Sequence, residues 1–267
     1  MDKSATLCGQ SCLNCFYKKT FYRWSADTVF CFPMTPPLSI ILPTLNEERG
    51  IIETLKQINE LDLDKEVLVV DGLSTDNTVK NAKAYGAKIV IEKRKGKGVA
   101  MATGVKEAKS NMICFLDGDG TYPPRFIPKM LELIEKCDVV VASRLLEKEG
   151  ANDSLNTFIH YRFFPFVFKS FLKKFKTSEP ITGMRLMRKE TWNKLNLESN
   201  DFLIETEMEI KMAKNKMTVI EIPIPCIKRI GRSKWDASWG TLLKIRKYVN
   251  QNEQYLKDLV VVQYHFV

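Results

Sequence analysis

At 267 residues, with 45% hydrophobic and 27% charged positions, the chain can bury one large α/β core of ordinary globular composition. Its longest apolar stretches, around Leu38–Leu42 and Val67–Val70, are strand-sized and exclude a membrane-spanning helix, and the opening residues lack the pattern of a secretory signal. The formal charge of +9, from 41 Lys+Arg against 32 Asp+Glu, fits an anionic partner: a diphosphate, a lipid phosphate, an acidic membrane surface or nucleic acid.

Seven cysteines are an odd number, and Cys114, Cys137 and Cys226 lie in apolar runs, so a reducing compartment is expected. The other four fall at the start. Cys12 and Cys15 have the spacing of half a zinc site that Cys8 and Cys31 could complete; the alternative is that residues 1–37 form a poorly ordered extension ahead of a start at Met34. The main domain is expected over residues 38–250, with 251–267 as a tail.

From Leu38 onward strands and helices alternate, the pattern of a mostly parallel sheet flanked by helices. Leu38–Leu42 predicts a strand, and Asn46 is placed to cap a helix through Ile51, Leu55 and Ile58. Glu66–Val70 predicts a second strand ending at Asp71; Asp76 then caps a helix that Gly86 closes. Lys88–Ile91 is a third strand before a basic, glycine-rich loop from Lys93 to Gly98, and a helix runs from about Val99 to Ala108. Met112–Leu116 is a fourth strand, delivering Asp117-Gly-Asp-Gly120 at its carboxyl end. A helix after Pro123-Pro124, a strand Asp138–Ala142, a helix Phe202–Lys214, a strand Thr218–Ile224 and a helix from about Gly240 follow. Between them, about residues 155–176, seven phenylalanines are interleaved with Arg162, Lys169, Lys173 and Lys174, which fits either helices lying in a membrane interface or a core helix whose lysines reach out to solvent.

Ligands of open α/β sheets bind outside the carboxyl ends of the strands, where both Asp71 and Asp117 fall. Asp117 and Asp119, one residue apart in a glycine-flanked turn around Gly118, can both reach one hard cation such as Mg²⁺ or Mn²⁺, which commonly bridges protein carboxylates to phosphates. Asp71 can accept hydrogen bonds from a nucleobase or ribose. Pro43 stops its strand, leaving Thr44 and Glu47 to face the same ligand. Arg94 and Lys97 are offered to phosphates from a loop without Walker spacing, which excludes a phosphate-loop NTPase.

Pro43-Thr-Leu-Asn-Glu47, Val69-Val-Asp-Gly-Leu-Ser-Thr-Asp-Asn-Thr78, Gly96-Lys-Gly98 and Phe115-Leu-Asp-Gly-Asp119 together resemble family 2 glycosyltransferases from about Leu38 to Lys234. Within that family Tyr122-Pro-Pro124, Val141-Ala-Ser-Arg144, Ile181-Thr-Gly-Met-Arg185 and Arg229-Ile-Gly-Arg-Ser-Lys234 look most like the polyprenyl- and dolichyl-phosphate sugar transferases, archaeal-type hexosyltransferases included. The resemblance implies a GT-A fold, inversion at the anomeric carbon, a nucleotide-diphospho-sugar donor and a polyprenyl (dolichyl) phosphate acceptor at the cytoplasmic face of a membrane. It places Asp117 and Asp119 on the metal positions, Asp71 on the nucleotide position, Arg144, Arg229 and Arg162 on acceptor-phosphate positions, and Lys234 beside the diphosphate.

The chain departs from the family pattern in places. Thr121 stands where mannose synthases often carry Gln, which favours UDP-linked hexoses or N-acetylhexosamines over GDP-mannose, and Gly72 replaces an aspartate common after Asp71. A hydroxyl acceptor would instead require a general base, for which Glu205 and Glu207 at a helix start are candidates. A nucleotidyltransferase would share the nucleotide half but release diphosphate. A nucleic-acid module fits the charge yet shows none of the recognisable motifs, so no nucleic acid is expected as a partner.

Overall fold

The computed structural model describes residues 20–25, 28–33, 38–146, 174–231 and 239–264. The chain divides into two compact units, Met1–Pro36 and Pro37–Val267. In the first, β1 (Thr20–Ser25) and β2 (Thr28–Pro33) pair as an antiparallel hairpin with Tyr22 opposite Cys31. Cys8, Cys12 and Cys15 lie outside the described residues; Cys31, the fourth member of the expected thiolate set, lies on β2.

The second unit is built on β3 (Leu38–Thr44), β4 (Lys65–Asp71), β5 (Lys88–Ile91), β6 (Met112–Phe115), β7 (Val139–Ser143), β8 (Arg185–Arg188), β9 (Thr218–Pro223) and β10 (Val260–Gln263). Its sheet has the order β10-β9-β7-β8-β6-β3-β4-β5, with every neighbour parallel except β8, which runs antiparallel to both β6 and β7. The mixed α/β architecture with a largely parallel sheet is the expected one. The four-residue β8 was not foreseen, because a strand this short carries too little alternation to register as a period of two.

Successive residues of each strand feed opposite cores. Ile41, Ile113, Phe115, Val139 and Val141 pack with α3 (Lys97–Glu107), α5 (Lys189–Leu195), α6 (Leu203–Lys214) and α7 (Trp239–Asn252). Ile40, Leu42, Cys114, Val140 and Ala142 face α1 (Gly50–Asn59), α2 (Thr78–Ala84) and α4 (Ile127–Leu133). Both faces are therefore covered, as the near-continuous apolar strands require.

Two expectations change in detail. Asn46 does not cap a helix: it adopts φ 50°, and its side chain accepts hydrogen bonds from Thr75, while α1 begins only at Gly50. Asparagine tolerates the left-handed region that this sharp exit from β3 needs. The glycines of Gly96-Lys97-Gly98 serve protein packing, since a Cβ at either would collide with the backbone of Ser199 or Asn200. Residues 251–267, expected as a tail, include a 3₁₀ turn (Glu253–Asp258) and β10, whose valine run pairs along the open edge of β9. Residues 147–173, most of the aromatic and basic segment, lie outside the described residues; just after them Phe175 is buried in the core and Lys174 pairs with Glu253 at 2.6 Å. Among the described residues no helix is long and apolar enough to cross a membrane.

Helix α3 crosses β3 at Gly104, where an added methyl would overlap Ile41 Cγ2 and stand 3.1 Å from Val70 Cγ2. Gly104→Ala should therefore lower unfolding free energy by about 1–3 kcal/mol, overriding the ~0.5–1 kcal/mol helix-propensity gain of alanine. Urea denaturation of the two proteins checks the sign.

Candidate active site

The carboxyl ends of β3 and β4 carry two loops stitched to each other. Gly72 N donates to Thr44 O, Asn46 N to Ser74 Oγ at 2.8 Å, and Glu47 N to Thr78 Oγ1 at 2.7 Å. Asp76, expected to cap α2, stands one residue before its N-cap Asn77; it accepts from the amide of Thr78 at 2.9 Å and from Glu48 N, so its role is to join the loops. Asp71 is buried, and its two oxygens accept from Ser74 N at 2.8 Å and Ser74 Oγ at 2.5 Å. Pro43 and Thr44 lie in register with Val70 and Asp71 on the adjacent strand.

Next along the edge comes the Asp117–Thr121 turn. Asp119 Oδ1 accepts from Thr121 N at 3.0 Å and Thr121 Oγ1 at 2.6 Å, so the threonine read as a departure from mannose synthases is the side chain that orients this aspartate. Gly50 at the start of α1 lies against the turn, its notional Cβ 2.7 Å from Asp119 Cα, and Gly118 packs on Thr44. Ile230 N donates to Asp119 O, which lays the Arg229 segment over the turn. The Asp117 carboxylate occupies the space that Gly183 leaves: any side chain there would overlap it. Gly183 was quoted within the Ile181–Arg185 motif, but its service to Asp117 is invisible without the fold.

Both aspartates are met by cations of the chain. Lys97 Nζ donates to Asp117 Oδ1 at 2.7 Å and to Glu205 Oε1 at 2.6 Å, 5.9 Å from the centroid of the Phe202 ring. The Arg229 guanidinium donates to Asp119 Oδ2 and Glu47 Oε1. Burial lowers the pKa of the Lys97 ammonium, but the two carboxylates outweigh it and the net shift is upward. Burial raises the pKa of Glu205, with Lys97 opposing. Glu207 is occupied elsewhere: burial opposes its ionisation, yet Lys211 at 2.8 Å and the amides of Glu198 and Ser199 hold its pKa below the usual range.

The remaining sequence candidates are distributed differently. Arg94 folds back onto Glu92, with hydrogen bonds at 3.0 and 2.8 Å, and chiefly through them holds that carboxyl at about 2. Arg144 is clamped by Glu179 through its backbone N at 2.7 Å, Nε at 2.8 Å and Nη2, with its guanidinium 4.5 Å from the Tyr122 ring centroid. Arg162 and Lys234 lie outside the described residues. Behind Arg144 runs a buried network: Arg185, 1% exposed, donates to Glu209 at 2.7 Å and to the carbonyls of Thr182 and Pro180, while Thr177 also donates to Glu209. A buried arginine in a short strand has no sequence signal apart from its motif.

Among the described residues no group of three His, Cys, Asp or Glu side chains stands ready to hold a metal ion. Asp117 and Asp119 nevertheless offer hard oxygen donors of the kind Mg²⁺ and Mn²⁺ take, and such ions commonly fill the rest of their shell with phosphate and water. The donor set therefore fits a cation carried in part by a phosphorylated ligand.

The profile of glycosyl transferase family 2 matches residues 39–195. Over 205 residues the chain is 32% identical to the dolichyl-phosphate hexose transferase of Haloferax volcanii, covering 76% of this chain and 88% of that one. It is 30% identical over 212 residues to the dolichol-phosphate mannosyltransferase of Pyrococcus furiosus, covering 74% of this chain but 58% of that longer protein. Among solved structures, the glucosyl-3-phosphoglycerate synthase of Mycobacterium tuberculosis, crystallised with Mn²⁺, UDP-glucose and phosphoglyceric acid, superposes with a TM-score of 0.59 at 18% identity, covering 83% and 80% of the two chains. The chain belongs to glycosyl transferase family 2. It is a glycosyltransferase of GT-A fold that resembles the dolichyl-phosphate sugar transferases.

Replacing Arg185 with Met leaves Glu209 buried without its cation and should cost about 3–5 kcal/mol, whereas Arg185→Met with Glu209→Gln should recover most of that loss. Chemical denaturation of both variants checks the pair.

Proposed function

We propose that this enzyme transfers a sugar, with inversion, from a nucleoside diphosphate onto a polyprenyl (dolichyl) phosphate. UDP-hexose or UDP-N-acetylhexosamine is favoured as donor. The observation that carries the reading is the pairing of Asp117 and Asp119 with Lys97 and Arg229 at the sheet edge, in a chain 32% identical to a dolichyl-phosphate hexose transferase.

In this reading Asp71, Thr44 and Glu47, with Pro43 beside them, bind the nucleoside. Asp117 and Asp119 hold Mg²⁺ or Mn²⁺, which when bound supplies charge neutralisation to the departing diphosphate. Lys97, and by resemblance Lys234, add positive charge on the same leaving group. Arg94, committed to Glu92, contributes only long-range attraction for the donor. Arg144, Arg229 and Arg162 position the acceptor phosphate through charge-assisted hydrogen bonds.

A phosphate monoester, with a second pKa of about 6, is already largely dianionic at neutral pH and needs placement more than deprotonation. That distinguishes it from a hydroxyl acceptor, for which Glu205 or Glu207 would have to serve as base; Glu205 is bonded to Lys97, and Glu207 to Lys211 and two amides. Such an acceptor would put the enzyme peripherally at the cytoplasmic face of a membrane.

Incubating the protein with polyprenyl phosphate vesicles and a panel of UDP- and GDP-sugars, followed by mass spectrometry of the lipid fraction, tests donor and acceptor together. A glycosylated lipid phosphate from a UDP-sugar is expected; product from GDP-mannose alone would transfer the assignment to a mannosyltransferase. Asp119→Ala should reduce transfer by at least about a hundredfold with an unchanged circular dichroism spectrum. Arg229→Ala should raise the KM for lipid phosphate well beyond that for the nucleotide sugar, and steady-state kinetics with each substrate varied would expose the opposite ranking.

A further inference from the structure

Around Arg144 three buried acids face two arginines. Glu179 holds Arg144 and Glu209 holds Arg185, while Glu221, on β9, forms no ion pair among the described residues. Its Oε1 accepts from Ser178 N at 2.8 Å and from Ser178 Oγ at 2.9 Å; its Oε2 is buried and meets no hydrogen-bond partner. The charged groups nearby are already matched. Glu209 comes from α6 with Arg185 of β8 and Thr177 as partners, and Glu179 of the loop before β8 is spent on Arg144. Val141 of β7 and Gln263 of β10, in register with Glu221 on either side, are uncharged, and Tyr264 donates its backbone N to the Glu221 carbonyl.

A carboxylate with one bare oxygen in such a place is far costlier than the neutral acid. Burial pushes the pKa of Glu221 up and the charge of Glu209 adds to the rise, outweighing the bonds from Ser178. Ser178 Oγ also lies 2.6 Å from Ser143 Oγ, so residues 143 and 144 at the end of β7 are laid beside residues 178 and 179. From this geometry we infer that Glu221 is a positioning residue that works as the neutral acid: it fastens Ser178, so that Glu179 presents the Arg144 guanidinium to the acceptor phosphate. The inference rests on the reading of Arg144 as an acceptor-phosphate residue. Loss of the proton would set a second negative charge near Glu209, and the water needed to solvate it enters only if the loop at 177–183 lifts from the sheet edge.

The sign follows from the raised pKa. Stability contributed by the neutral acid is complete below the ordinary carboxylate value and is lost as pH rises through the folded value. Glu221→Gln keeps the oxygen that Ser178 needs and cannot ionise. With both proteins assayed from about pH 5 to 9, the ratio of their KM values for polyprenyl phosphate, unmodified over variant, should climb by about threefold or more with pH, because affinity falls with the competent fraction. Taking the ratio cancels the titration of the phosphate itself. The same ratio for the nucleotide sugar should stay flat.

Ser178→Ala, which cuts the hydroxyl link and leaves the acid in place, should raise the KM for lipid phosphate about threefold and leave that for the donor where it was. An infrared difference spectrum between the unmodified protein and Glu221→Gln, taken below the kinetic midpoint, should show the loss of one protonated-carboxyl stretch. A flat acceptor ratio, or an unchanged acceptor KM in Ser178→Ala, would overturn the positioning role; a missing band would overturn the neutral acid. If the unmodified enzyme glycosylates no lipid phosphate at all, the assigned acceptor falls and this role with it, while the band still reports whether Glu221 carries the proton.

Discussion

Carboxylates gathered where water is scarce must each find a compensating partner, and this requirement organises the second unit of the chain. A buried ionised group without one costs several kcal/mol. Asp71 meets the condition with an amide and a hydroxyl from Ser74, Asp119 with Thr121 and Arg229, Asp117 with Lys97, and Glu209 with Arg185 and Thr177. Because these partners come from strands, loops and helices far apart in the chain, the ion pairs also cross-link the elements that surround the site.

The antiparallel β8 explains how a further loop reaches the Asp117–Thr121 turn. In a purely parallel sheet every strand brings its carboxyl end to the ligand edge. Running the other way between β6 and β7, β8 brings its amino end there instead. The loop before it thereby reaches the same edge: Thr182 Oγ1 donates to Ala142 O at 2.6 Å, Gly183 N to Tyr122 Oη at 2.7 Å, and Gly183 makes room for Asp117. Glu179, from the same loop, holds Arg144. One reversed strand joins the aspartate turn to Arg144.

Helix α6 reaches the site through its first turn. The segment just before it packs closely because Gly96 and Gly98 carry no side chain where Ser199 and Asn200 press in, and the first turn of the helix sets Glu205 against Lys97. The basic loop after β5 is thus shaped by protein packing first. Its lysine points at the aspartate turn, while Arg94 turns back to Glu92.

Much of this was legible in the residue order. Apolar runs of four to seven residues ending in Asp71 and Asp117 announce strands delivering carboxylates to one edge, because strand direction in alternating βα units is uniform. The Asp117-Gly-Asp119 spacing marks a turn whose two acids share a neighbourhood, and that is a local property. What lay beyond reach were the particular contacts between distant segments. Asn46 bonds Thr75 instead of capping a helix, β8 reverses, β10 joins the sheet, Gly183 cradles Asp117, and Glu205 meets Lys97 across 108 positions. Each depends on which surfaces pack together, and packing is settled by the summed contacts of the whole core, which no local pattern of residues encodes.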